Sequence, residues 1–188
     1  MTLAPTIRRP LAVALLAAIG SLAACAAPGR VDDATFVQQA FARMKTLEGR
    51  YEAQVAGLTA TVPVTYETIS AGHALLERIH AGEAMDMASV YYLEGEDLAM
   101  VHYCGIGNRP HLRLDRDRST RDDLLFAWDG GATDIDPSKD PHIHQGRFKF
   151  LDADTVDAEW SFWKDGKLDH AAHFTLSRKA GSFTPRAK

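Results

Sequence analysis

After Leu47 the chain changes step. Apolar and polar residues alternate one for one through ten short runs, at about 50–56, 61–69, 73–80, 87–93, 97–104, 110–115, 124–128, 143–151, 155–163 and 168–178. The separators carry turn chemistry, as in Ser70-Ala71-Gly72, Asp152-Ala153-Asp154 and Lys164-Asp165-Gly166-Lys167. No later segment has the length and period of a crossover helix, so parallel pairing has nothing to connect it. The pattern predicts a mainly β chain: an antiparallel up-and-down β-barrel of about ten strands. One amphipathic helix precedes it, capped at Asp32 or Asp33 and running to about Thr46. Phe36, Ala40, Phe41 and Met44 share one of its faces, which suits a lid over one barrel end.

Because strand side chains alternate sides, the apolar set marks the inner face. Val156, Ala158, Trp160 and Phe162 point inward against Asp157 and Glu159. Ala172, Phe174 and Leu176 do the same, with His170 in phase and His173 outside. In 142–150 the Phe148 and Phe150 phase also carries His142 and His144. In the hairpin around Gly95, Leu98, Met100, His102 and Cys104 form the inner set. Glu77 follows Leu75 and Ile79 inward, and a buried carboxylate calls for a cation such as Arg113.

These placements allow three kinds of chemistry. Inward aromatics, Trp160 among them, would bind an apolar molecule, with His102, Cys104, Arg113, His142, His144 or His170 orienting it. His142 and His144 on one strand face stand about 7 Å apart, and with His102 and Cys104 would form a mixed nitrogen and sulfur site of the zinc type. Cys104 with His102 as its base is the enzymatic alternative, without a recognisable surrounding motif. Asp134, Asp136 and Asp140 lack the spacing and terminal Glu of a calcium loop and read as solvated.

The first 24 residues read as an address. Arg8-Arg9 and the apolar run Leu11–Ile19 form a leader too short to stay in a bilayer. Leu22-Ala23-Ala24-Cys25 resembles the bacterial lipobox, which implies cleavage before Cys25, its lipidation, and a membrane anchor of two or more acyl chains. Ala26 after the cysteine points to the periplasmic face of the outer membrane. The expected organisation is a signal peptide over 1–24, a tether over 25–31, the barrel over 32–179 and a tail over 180–188. With Cys25 acylated, Cys104 has no intrachain partner and a core must supply the stability. The net charge of −4 gives no basic footprint, so nucleic acid is not expected as a partner.

Leu47-Glu48-Gly49-Arg50-Tyr51, after a short helix and opening the first strand, resembles the Gly-x-Trp opening of the calycin barrels, with Tyr51 at the tryptophan position. Those barrels include lipocalins, fatty-acid-binding proteins and haem-binding nitrobindins, and ten strands match the latter two. The resemblance implies an apolar ligand in a barrel cavity. By the nitrobindin pattern it implies haem on an inward histidine of the last strand, where His170 stands. The stretch Val101–Leu114, His-Tyr-Cys followed by Gly-Asn-x-Pro-x-x-Arg-Leu, also resembles a signature of uncharacterised bacterial exported lipoproteins, which implies export and no particular activity. Taken together, the sequence leads us to expect an envelope lipoprotein whose barrel binds a small, largely apolar ligand. A haem or zinc site is the first alternative and a His/Cys enzyme the second.

Overall fold

A computed structural model describes residues 33–131, 134–181 and 183. The leader, the Cys25 lipidation site, the tether and most of the 180–188 tail lie outside the described residues. The chain forms one helix, α1 (Asp33–Lys45), then β1 (Gly49–Val55), β2 (Thr61–Ile69), β3 (Ala74–Ile79), β4 (Met87–Glu94) and β5 (Asp97–Tyr103). It continues through β6 (His111–Leu114), β7 (Asp123–Trp128), β8 (His142–Phe150), β9 (Thr155–Lys164) and β10 (Lys167–Arg178). Every strand pairs antiparallel with its neighbours in sequence. β1 also pairs with β10, from Tyr51 opposite Arg178 to Val55 opposite Phe174, and so closes the barrel.

Local chemistry places the elements where the alternation puts them. In the β9–β10 turn, Asp165 and Gly166 both have positive φ (51° and 69°), as the tightest two-residue hairpin requires. α1 turns Val37, Ala40, Phe41 and Met44 inward, with Leu47 just beyond its end, and all five are buried. Burying each of the larger ones is worth roughly 1.5–3 kcal/mol. The helix packs against β4 and β5. Polar contacts fix it over the same barrel end: Arg43 pairs with Asp122 at 2.9 Å and covers the Phe150 ring at 4.2 Å, and Lys45 Nζ donates to the Gly72 carbonyl. Among the described residues no helix is long and apolar enough to cross a membrane.

Below α1 the interior is solid. Tyr91, Phe126 and Phe148 meet edge to face with centroids 5.5–6.1 Å apart, and Tyr51 meets Tyr66 at 5.6 Å. Such pairs add about 0.5–1.5 kcal/mol each beyond area burial. Toward the opposite end, where β1 stops and β10 starts, several inner positions shrink to alanine and valine. Loops rather than a helix surround that end.

The phase of β8 differs from strict alternation. The register shifts between Ile143 and Gln145, so two residues of β8 oppose one of β9 and the strand carries a bulge. Gly146, Phe148 and Phe150 keep the inner phase, and beyond the bulge Ile143 takes it over. Neither His142 nor His144 lines the cavity described below.

Candidate ligand cavity

The inner wall toward the loop-bounded end carries small side chains at positions where the other end has rings. Ala53 on β1, Ala158 on β9 and Ala172 on β10 occupy inner positions, and with Val62, Val64 and Ile79 they leave a cavity of about 90 Å³. Trp160, Phe162 and Phe174 complete its wall, and Met87 and His80 stand near its mouth. Trp160 depends on Gly146 across the β8–β9 ladder. A Cβ on Gly146 would come within 2.9 Å of the indole, so only glycine lets the ring lie there.

Three side chains bring polar atoms to this apolar lining: Glu77, His80 and His102. His80, with φ of 55°, turns the chain out of β3, and its Nδ1 lies 3.0 Å from Glu83. Glu77 is 2 % exposed, and no cation among the described residues forms an ion pair with it. Its carboxyl instead accepts from the Tyr66 hydroxyl at 2.6 Å and the Tyr91 hydroxyl at 2.8 Å. Burial pushes this carboxyl above the usual carboxylate range, and the neighbouring hydroxyls pull it part of the way back. The expected ion pair with Arg113 is therefore not formed. Arg113 lies on the outer face, in contact with Glu94, Asp97 and Asp129, because its strand is in the outward phase there. Tyr92 and His111 extend that outer network, with His111 Nδ1 at 2.8 Å from Asp129.

His102 is the decisive group. It is 2 % exposed, its ring sits 5.3 Å from that of Trp160, and its Nδ1 lies 3.0 Å from Ser89 Oγ. Its other nitrogen, Nε2, is buried without a hydrogen-bond partner. Four buried side-chain polar atoms among the described residues share that condition, and His102 alone belongs to the cavity wall. Burial depresses the imidazole pKa to about 4, so the ring is neutral at physiological pH. An unpaired buried nitrogen costs about 1–3 kcal/mol, which a ligand atom would recover.

The other expected site residues fall elsewhere. Cys104 is a buried free thiol at the end of β5, outside the cavity lining. Since His102 Nε2 has no partner, no hydrogen bond joins it to the Cys104 sulfur. His142 and His144 assemble with Trp128 and Trp163 at the end of β8. His144 stacks on Trp163 at 3.9 Å, and His142 lies 4.7 Å from Trp128. The Asp140 carbonyl accepts from His142 Nδ1 at 2.8 Å, so in the neutral ring His142 Nε2 accepts from His144 Nδ1 at 3.1 Å. Burial, then the neighbouring His142, holds the His144 pKa down. No group of three or more His, Cys, Asp or Glu among the described residues is arranged to hold a metal ion.

His170 is in the inner phase but beyond the cavity, at the rim. Its side chain is 57 % exposed, pairs with Asp169 and stacks on Phe162 at 4.8 Å. A haem macrocycle needs a pocket on the scale of roughly 300–1,000 Å³. The cavity of about 90 Å³ is smaller than that, and His170 lines instead a separate open surface hollow of about 470 Å³ with Phe162 and Trp163.

Sequence reasoning reached Glu77, His102 and Trp160 and put Ala158 and Ala172 on the inner face, but it did not reach Ser89, Ala53 or the space these alanines leave. A serine in the inner phase of β4 was the available signal for the first. Small residues recurring in the inner phase of β1, β9 and β10 were the signal for the space. The sequence matches no protein-family model and no curated protein. The closed ten-strand antiparallel barrel is consistent with a calycin-like fold.

Proposed function

We propose that this protein binds a small, largely apolar molecule in the barrel cavity, with one polar atom of the ligand resting on His102. The observation that carries the reading is the partnerless Nε2 of a buried, neutral imidazole in an otherwise apolar wall. Binding is favoured over catalysis by the scarcity of other polar groups. Glu77 is taken up by the hydroxyls of Tyr66 and Tyr91 and His80 by Glu83, which leaves no second donor among the lining residues to stabilise charge developing on a substrate. The Arg8-Arg9 leader and the Cys25 lipobox support a location in the bacterial envelope, anchored by lipid.

Furan is a suitable probe, being a five-atom ring with little polarity. In protein labelled at alanine methyls, furan titration is expected to shift the Ala53, Ala158 and Ala172 signals and to leave Ala34 and Ala42 on α1 unmoved. The Ala158→Leu variant, which fills the space, is expected to abolish the shifts. Absence of any shift in the three cavity alanines at millimolar furan would sink the proposal.

A further inference from the structure

The cavity wall carries one sulfur, the thioether of Met87, and one buried nitrogen without a partner, His102 Nε2. Strand pairing brings the two residues together. Ser89 stands opposite His102 across the β4–β5 ladder, and Met87 lies two residues before Ser89 in the same inner phase. Met87 is therefore a diagonal neighbour of His102, a separation that long side chains span. Its unbranched side chain has three rotatable bonds and can bring the sulfur to the imidazole without moving the sheet. Met85 packs beside it: a Cβ on Gly105 would lie 3.5 Å from the Met85 sulfur and 3.7 Å from Met87 Cγ. The wall thus offers neutral, polarisable donors, since its one carboxyl, Glu77, is taken up by Tyr66 and Tyr91.

Neutral donors decide which ion fits. Thioether sulfur selects soft cuprous-type ions over hard or borderline divalent ones. A divalent ion also loses about four times as much solvation as a monovalent one on burial, because that cost grows with the square of the charge. Zinc takes four ligands, and among the described residues no group of three or more His, Cys, Asp or Glu is arranged to hold a metal. A monovalent cuprous ion is satisfied by two donors in line. We propose that His102 Nε2 and Met87 Sδ form a site for cuprous copper in the cavity wall. His102 then donates its Nδ1 hydrogen to Ser89 Oγ, 3.0 Å away, which holds the ring in place for coordination. The Trp160 ring, 5.3 Å from the imidazole, adds an electron-rich face beside the positive charge. The metal uses the same nitrogen as the apolar ligand proposed above, but the inference does not depend on that function.

Silver(I) is the probe, having the charge and softness of cuprous copper without its sensitivity to air. Titration is expected to shift His102 Nε2 in long-range ¹H–¹⁵N spectra and the Met87 methyl in ¹³C spectra, with both changes saturating at the same silver concentration. Zinc at that concentration is expected to move neither. Met87→Leu keeps the volume and removes the sulfur. It should weaken silver binding at His102 by about a hundredfold, since even an outer partner of a metal ligand is worth about ten- to hundredfold in affinity. Silver taken up only by the free Cys104 thiol or by Met85, or an equal response to zinc, overturns the inference. So does undiminished silver binding by Met87→Leu, and the paired wild-type shifts decide alone if that variant does not fold. Alanine shifts with furan but no silver shift at His102 overturn this inference and leave the binding function standing. Silver shifts at both donors with no response to furan keep the metal site and remove the apolar ligand.

Discussion

The two ends of the barrel share one rule of alternation and differ in what stands at the inner positions. Under α1 these are Tyr51, Tyr66, Tyr91, Phe126, Phe148 and Phe150, which fill the space between the sheets' inner faces. At the loop-bounded end Ala53, Ala158 and Ala172 stand between Trp160, Phe162 and Phe174, and the space stays open. A barrel of this size has room for either side chains or one small ligand, and here one end is filled while the other keeps a cavity. The hydroxyls of Tyr66 and Tyr91 reach from the filled half to Glu77, so the rigid end orients the polar groups of the open end.

The largest expected contrast is energetic. Phe148→Ala should cost about 3–5 kcal/mol, since a close-packed aromatic neighbourhood cannot collapse onto the void. Phe174→Ala, half-buried on the cavity wall, should cost about 1–2 kcal/mol by the same bookkeeping. Urea unfolding of both variants measures the difference, and equal losses would erase the distinction between the ends.

The second contrast depends on pH. The His102 pKa is about 4 in the folded protein against roughly 6.5 in an unfolded chain. Below that unfolded value the unfolded chain binds a proton that the folded one refuses. Stability is therefore full above pH 6.5 and falls as the pH drops toward 4, by about 3 kcal/mol in total. Glu77, whose carboxyl is raised by burial, acts in the opposite sense: its contribution is present at low pH and lost as the pH rises. In His102→Phe the imidazole contribution is gone while Glu77 remains. Wild type should therefore lose more stability between pH 6.5 and 4 than the variant, as read by denaturant titration. Parallel profiles would mean that His102 is not held neutral by the open end.

Gly146→Ala gives a smaller effect, about 1–3 kcal/mol from overpacking against Trp160. The displaced indole should narrow the cavity and weaken furan binding in the methyl spectra. Smallest of all, His170→Ala should change stability by no more than about 0.5 kcal/mol, because the residue is an exposed rim position. Furan affinity should be unaltered, since His170 lies outside the cavity wall. A large drop in affinity would move the binding site from the cavity to the rim.

Most of the fold was legible because alternation is a local property. Each of the ten strands lies within a residue or two of where the pattern puts it, and Leu98, Met100 and His102 face inward as their phase predicts. The histidine pair was misplaced because a bulge is invisible to a count of two. One extra residue between Ile143 and Gln145 removes His142 and His144 from the wall and leaves Ile143 there. The Glu77 environment was half legible. Its burial follows from its phase, but its partners come from β2 and β4. A lone sequence favours the charged arginine over hydroxyls whose reach depends on register. The cavity itself was least legible, because it is made by what is missing at Ala53, Ala158 and Ala172.

The pairing of β1 with β10 also dictates when the binding chamber comes into being. Ala53 belongs to the first strand made and Ala172 and Phe174 to the last, so the chamber spans the seam of the cylinder. During synthesis the exposed edge of β1 must wait for more than a hundred residues before its partner emerges. Until then the backbone groups of that edge are open to unwanted strands. The cavity therefore has no partial form. A nascent chain, or one truncated before Phe174, holds every polar anchor but has no enclosed space in which to use them.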